Sequence, residues 1–174
     1  EVVAGKFGAT AMTYRFHRGL RDEDIVMCVG CLQMVDAVSG GVVYTRNPLD
    51  IRDDTIIINA VWGLPKMVVD GRSAVDHFEV ARQAPHRLLE RRIGAKTVAY
   101  RCLAEEGICR NELLEEQSHA PSIDDDQAAA LARMAVDIEN YCGGPQDIEW
   151  AIDNDGRIVF LQCRPLSVAP AESQ

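Results

Sequence analysis

Two runs near the C-terminal end of the sequence hold the residues best suited to chemistry. The first is Asp147-Ile148-Glu149-Trp150-Ala151-Ile152. After Asp153-Asn154-Asp155-Gly156 comes the second, Arg157-Ile158-Val159-Phe160-Leu161-Gln162-Cys163-Arg164-Pro165. Alternating runs around an Asn-Asp-Gly turn signal a β-hairpin. With 153–156 as the loop, Ile152 pairs with Arg157, Glu149 lies opposite Phe160 and Asp147 opposite Gln162. Alternation gives a packing face of Ile148, Trp150, Ile152, Val159, Leu161 and Cys163. The other face carries Asp147, Glu149, Gln162 and Arg164, with Phe160 and Ile158 toward the turn. Glu149 and Gln162 become diagonal neighbours within reach of one shared ligand.

An oxygen-rich pair beside an arginine suits a magnesium-bound polyphosphate. Magnesium takes one or two carboxylates plus phosphate oxygens, and a guanidinium grips phosphate through a two-pronged fork. The plainer reading is a solvated strand face with a surface ion pair between Arg164 and Asp147. Polar outer faces are the norm in antiparallel sheets, so spacing alone favours the plainer reading.

The elements that must position this hairpin are legible upstream. Residues 6–18 suit a helix that stops at His17-Arg18-Gly19. Apolar, β-branched runs at 25–35, 41–45 and 55–62 read as antiparallel strands punctuated by Ser39-Gly40-Gly41 and Asn47-Pro48. Further strand-like pieces fall at 66–69 and 75–81, with weaker ones between 87 and 101, and residues 104–121 read as irregular. Asp124, with Gln127 three residues on, resembles a capping box. Behind it Leu131, Met134, Ala135, Ile138 and Cys142 share one helical face, and Gly143-Gly144-Pro145 ends the helix. That stripe reads as core, and Asp124-Asp125-Asp126 as a favourable helix N-terminus rather than a metal site.

Bulk composition narrows the function classes. A 174-residue chain that is 47% hydrophobic can bury a proper core, which excludes disorder. Its formal charge of −9, with scattered basic residues, argues against nucleic-acid binding. No apolar run approaches the ~20 residues that cross a bilayer, so a cytoplasmic protein without a membrane partner is expected. Glu1 and the opening stretch read as the middle of an element, so the chain is expected to be a piece of a longer protein. Six cysteines include Cys28-Val29-Gly30-Cys31. A zinc or redox half-site competes there with buried strand thiols, and the strand-like surroundings favour buried thiols. His17, His77, His86 and His119 read as surface or structural.

Gly144-Pro145-Gln146-Asp147-Ile148-Glu149-Trp150-Ala151 followed by Leu161-Gln162-Cys163-Arg164-Pro165 closely resembles the end of the nucleotide-binding domain of phosphoenolpyruvate synthases and pyruvate, phosphate dikinases. Ala11-Met12-Thr13-Tyr14-Arg15, Gln33-Met34-Val35, Ser39-Gly40-Gly41-Val42-Val43-Tyr44-Thr45-Arg46-Asn47-Pro48, Trp62-Gly63-Leu64 and Val68-Val69-Asp70-Gly71 follow the family in order. The resemblance runs from about Gly8 to Val168. It implies an α+β, ATP-grasp-like lobe, a mainly antiparallel sheet with flanking helices. Residues 1–168 would be the C-terminal portion of the nucleotide-binding domain and 169–174 a tail or linker.

The resemblance also implies roles. ATP and Mg2+ would be the cofactors, with Glu149 and Gln162 as metal and phosphate ligands, Arg164 contacting phosphate in catalysis, and Asp147 supporting the site. Gln33, Met34 and Val35 would line the adenine pocket. Two positions depart from the pattern: Gly63-Leu64-Pro65-Lys66 replaces a Gly-Leu-Gly-Glu, and Leu32 falls where the family has a Gln. The implied parent reaction converts ATP, pyruvate and water to phosphoenolpyruvate, AMP and phosphate through a phosphohistidine carrier. Pyruvate and the phosphohistidine domain would then be partners through other parts of the protein, and the chain alone would be inactive. Alternatives are the nucleotide domain of an antibiotic or glucan phosphotransferase, or a non-catalytic nucleotide-sensing module. Apolar surface that a missing lobe would cover favours self-association, so a homo-oligomer is admitted.

Overall fold

Most of the β-branched runs become one antiparallel sheet in the computed structural model, which describes residues 2–69, 71, 74–103 and 107–166. The expected tail 169–174, Val168, Asp70 and residues 104–106 of the irregular region lie outside the described residues. The chain divides into two compact units, residues 1–34 and 35–174.

In the first unit a 3-10 turn, Val3–Phe7, precedes helix α1, Ala9–Arg18. Gly19 ends α1 in the left-handed region, at φ 64°, as the His-Arg-Gly stop implies. Arg15 is buried and staples the unit, donating from Nε to Asp22 Oδ1 at 2.8 Å and from Nη1 to the Lys6 carbonyl at 2.7 Å. The strand expected over 25–35 is not formed. Val26 and Leu32 are 84% and 88% exposed, and Cys28 and Cys31 are exposed rather than buried. A β-branched run becomes a strand only where a neighbouring edge accepts its backbone groups, and no described strand pairs with this one.

The second unit holds β1 (Ala37–Tyr44), β2 (Thr55–Trp62), β3 (Asp76–Ala81), β4 (Leu88–Arg92), β7 (Gln146–Asp153) and β8 (Ile158–Pro165) in the order β4-β3-β2-β1-β7-β8. Strands β5 (Val98–Leu103) and β6 (Gly107–Glu112) form a separate hairpin. Ser39, Gly40 and Gly41 lie inside β1 instead of breaking the chain before it. Those glycines are there because neighbours come too close for a side chain. A Cβ on Gly41 would stand 1.9 Å from the Asn59 carbonyl oxygen and 2.8 Å from Trp150 Cζ2, and one on Gly40 would stand 2.8 Å from the Gly63 carbonyl oxygen.

Helix α4, Asp125–Cys142, starts at the expected capping box: Gln127 N donates to Asp124 Oδ1 at 2.7 Å and Asp124 N to Gln127 Oε1 at 3.0 Å. It covers one sheet face, packing Ala128, Leu131, Ala132 and Ala135 against Val43, Ile56, Ile58, Phe78, Ile148 and Trp150. Two expectations nearby are corrected. Residues 66–69 form a short helix, α2 (Lys66–Val69), not a strand: Pro65 sits at its start and its carbonyl accepts from Val68 N at 2.9 Å. Residues 104–121 are not irregular, since they contain β6 and α3 (Glu115–His119). Neither face of β6 is fully buried, so its residues carry no strong apolar period.

Two polar clusters tie these layers together. Glu139 lies on the buried stripe of α4 and takes a two-pronged bond from Arg82, Nη1 to Oε2 at 2.9 Å and Nη2 to Oε1 at 2.8 Å. Asp76, fully buried, pairs with the buried Lys96 ammonium and accepts from Ser122 N and Oγ at 2.7 Å each. Such pairs cost more to break on one side than they contribute net.

The close approach at Gly41 makes a direct prediction. Gly41→Ala lowers the stability of the second unit by at least about 2 kcal/mol, because the Asn59 backbone cannot retreat without opening β1–β2. Urea unfolding with an unchanged midpoint would contradict this.

Candidate functional site

Each side chain of the expected site is placed by the register of β7 between β1 and β8. Tyr44, Val42 and Gly40 of β1 stand opposite Asp147, Glu149 and Ala151 of β7. Trp150 and Ile148 point into the α4 core, so Asp147 and Glu149 point to the other sheet face. Alternation alone predicted that assignment, and the structure agrees.

On β8 the register differs from the sequence expectation. The loop is three residues, 154–156, because Asp153 N donates to the Arg157 carbonyl at 3.1 Å and Gly156 turns back at φ 77°. Asp153 Oδ1 organises it, accepting from Asp155 N and Arg157 N at 2.9 Å each. Ile158 and Phe160 therefore face Ile152 and Trp150 on the core side, while Val159 faces Ala151 on the other side. Leu161 is then skipped in a β-bulge. Beyond the bulge Gln162 stands directly opposite Glu149, Cys163 opposite Ile148 and Arg164 opposite Asp147. The diagonal Glu149–Gln162 relation becomes a direct cross-strand pair, which brings their Cβ atoms to about 5 Å.

Arg164 clasps one oxygen of Asp147, with Nε at 2.9 Å and Nη2 at 2.8 Å. Asp147 is nearly buried whereas Arg164 is mostly exposed, so the carboxylate is the anchor and the guanidinium the adjustable arm. Hydrogen bonding to Asp147 raises the Arg164 pKa above the ordinary guanidinium value, and the nearby Glu149 charge adds to that. Neither the Glu149 carboxylate nor the Gln162 amide makes a side-chain hydrogen bond to another described residue. A shallow cleft of about 410 Å3 lies at the Asp147–Arg164 ion pair, lined also by Tyr44, Pro48, Pro165 and Leu166. Among the described residues no three His, Cys, Asp or Glu side chains gather as a metal cluster. A cation held here would take the Glu149 carboxylate, the Gln162 amide oxygen and further ligands from phosphate.

The adenine segment is divided. Val35 begins the second unit and packs with Ala37, Leu64, Ala151, Tyr100 and Leu161. Ala151 is two residues from Glu149, and Leu161 adjoins Gln162, so this apolar cluster borders the polar pair. Gln33 and Met34 belong to the first unit and are exposed. Near the departure at Pro65 and Lys66, Gly63 is forced by geometry: its Cβ would stand 2.1 Å from the Tyr100 carbonyl oxygen.

Sequence reasoning gave Tyr44, Asn59 and His77 no place in the site, though all lie on its sheet face. His77 bridges Asn59 Oδ1 at 3.0 Å and Glu79 Oε1 at 3.2 Å, which agrees with a structural role. Only the pairing of β1 with β7 reveals Tyr44, because 103 residues separate it from Asp147 in the chain.

The pyruvate phosphate dikinase AMP/ATP-binding domain family matches residues 1–174 in full. The chain belongs to that family. Among its relatives, the phosphoenolpyruvate synthase of Escherichia coli (strain K12) is 32% identical over 97% of this chain and 23% of its own length. A probable phosphoenolpyruvate synthase of Methanothermobacter thermautotrophicus is 34% identical over 94% of this chain and 23% of its own length. A rifampicin phosphotransferase of Bacillus cereus is 29% identical over 94% of this chain and 18% of its own length. The chain thus spans under a quarter of these relatives. No described helix is long and apolar enough to cross a membrane.

Tyr44 gives the site a pH signature. Burial, then the Asp147 charge, raise its hydroxyl above the ordinary 10.0, with Arg164 opposing. A raised folded-state value means this contribution to stability is full below the unfolded value and is lost as pH climbs through the folded one. Unfolding midpoints measured from pH 9 upward should fall more steeply in the wild type than in Tyr44→Phe. Parallel curves would show that Tyr44 does not sense this environment.

Proposed function

We propose that the β7–β8 hairpin holds the phosphates and metal of Mg·ATP in a phosphoenolpyruvate synthase-like phosphotransferase. The observation that carries this is the register after the bulge. It aligns Glu149 with Gln162 and Asp147 with Arg164 on one face, with Glu149 and Gln162 making no side-chain hydrogen bond to another described residue. Membership of the AMP/ATP-binding family supports the nucleotide. A carboxylate opposite an amide oxygen suits magnesium, which when bound would offset charge on the phosphate oxygens.

In this reading Glu149 and Gln162 are the metal and phosphate ligands. Asp147 positions Arg164, whose free Nη1 edge turns toward the transferring phosphoryl group and stabilises its charge. Val35, with Leu161 and Ala151, supplies apolar surface for the base. For Gln33 and Met34 the adenine role rests on the family likeness alone. The chain acts as the C-terminal portion of the nucleotide-binding domain, residues 1–168 with a 169–174 tail, in a larger cytoplasmic protein. Its reaction yields phosphoenolpyruvate, AMP and phosphate from ATP, pyruvate and water through a phosphohistidine domain. The isolated chain is inactive and binds ATP weakly.

The similarity to a rifampicin phosphotransferase favours one further reading, in which the same nucleotide site serves an antibiotic acceptor. Nothing on the β7–β8 face selects between acceptors.

Titration of the full-length protein with Mg·ATP tests the site. Glu149→Ala and Arg164→Ala should each weaken binding on the order of 10-fold or more, as expected for loss of a charged contact to phosphate, and chelation of magnesium should weaken the wild type as much. ATP binding indifferent to both substitutions would remove the assignment.

A further inference from the structure

A second cavity, of about 400 Å3, opens on the α4 side of the sheet, where the start of β1 meets the ends of β2 and β7 beside the N-terminus of α4. That volume is within the range of small-molecule sites. In β1, Ser39 pairs with Trp62 on one side and Ile152 on the other, and it shares the α4 face with Gly41 and Val43. Ser39 lines the cavity and is only 2% exposed, yet its hydroxyl makes no hydrogen bond to another described residue. A hydroxyl taken out of water without a partner is costly, and a hydrogen-bonding group held in the cavity would relieve that cost.

The walls around Ser39 are apolar. Ile123 and Ile152 are buried, and Trp62 Nε1 donates to the Gln117 carbonyl at 2.9 Å, so the indole offers the cavity carbon rather than a donor. The charged residues among the described lining are Asp124 and Asp153, both closer to solvent than Ser39. Each carboxylate spends Oδ1 on backbone N–H groups, of Gln127 for Asp124 and of Asp155 and Arg157 for Asp153, and leaves Oδ2 open. Arg91 and Arg157 are engaged with other carboxylates, Asp125 at 2.8 Å and Asp155 at 3.6 Å. The N-terminus of α4 contributes about half a positive charge, which two carboxylates outweigh. The cavity therefore favours a cation at its mouth and a hydrogen-bonding group at its inner end, with apolar surface between.

We propose that this cavity binds a small hydroxylated amine. The ammonium group sits between Asp124 and Asp153, the apolar body lies against Trp62, Ile123 and Ile152, and the hydroxyl bonds Ser39 Oγ. The site lies on the opposite sheet face from the Asp147–Arg164 pair and does not depend on the nucleotide reading.

Calorimetric titration of the full-length protein with tyramine tests this, with phenethylamine, which lacks the hydroxyl, and 4-ethylphenol, which lacks the ammonium, as comparisons. Tyramine should bind saturably and on the order of 5-fold more tightly than phenethylamine, the usual size of one hydrogen bond. Ser39→Ala should remove that difference. Asp124→Asn and Asp153→Asn keep the backbone bonds that hold the helix cap and the turn, and each should weaken tyramine on the order of 3-fold while leaving 4-ethylphenol unchanged. Absence of saturable tyramine binding overturns the site. Equal affinity for 4-ethylphenol, or tyramine binding indifferent to both Asn variants, overturns the selection for an amine. A tyramine preference that survives Ser39→Ala overturns the placement of the hydroxyl, and with it the assignment of this cavity.

Discussion

Trp150 packed into the space that Gly41 leaves open is the contact on which the site depends. A fully buried indole has one place to go in this sheet, under α4 and over a residue without a side chain. Once Trp150 is seated, the two-residue period of β7 leaves Asp147 and Glu149 no choice of face. A slip of one residue would bury two carboxylates and expose the tryptophan, so the hydrophobic core enforces the polar geometry of the opposite face.

The bulge at Leu161 completes that geometry. Without it, the register from the turn would set Glu149 opposite Leu161 and Asp147 opposite Cys163, and the polar residues of the two strands would not meet. One extra residue shifts Gln162 and Arg164 into line with their partners and leaves Leu161 beside the Val35, Ala37, Leu64 and Ala151 cluster. The hairpin therefore joins an apolar surface to a polar one, as binding a nucleotide requires.

Much of this was readable from residue types and spacing. The capped helix from Asp124, the strand over 55–62 and the inward and outward residues of β7 follow from local periodicity, which one buried face makes strong. What escaped depends on residues distant in the chain. Gly40 and Gly41 read as a breaker because the backbone of Asn59 and Gly63 that requires them is some twenty residues away. The run 25–35 has strand composition but no described edge to pair with. The bulge leaves no mark in an alternating sequence, so β8 was misplaced near the turn while Arg164 and Gln162 were kept on the right face. Glu139 and Asp76 were missed because their partners, Arg82 and Lys96, become neighbours only in the fold.

The proposed site stands or falls on where a divalent cation settles when nucleotide is present. The measurement that decides it is amide NMR of the protein with ATP and substoichiometric manganese, which broadens the signals nearest the bound ion. Broadening centred on residues 147–149 and 162–164, and dependent on ATP, is the predicted result. Broadening centred instead on the acidic turn 153–155 or the helix start 124–126, with β7 and β8 sharp at Glu149 and Gln162, would contradict it.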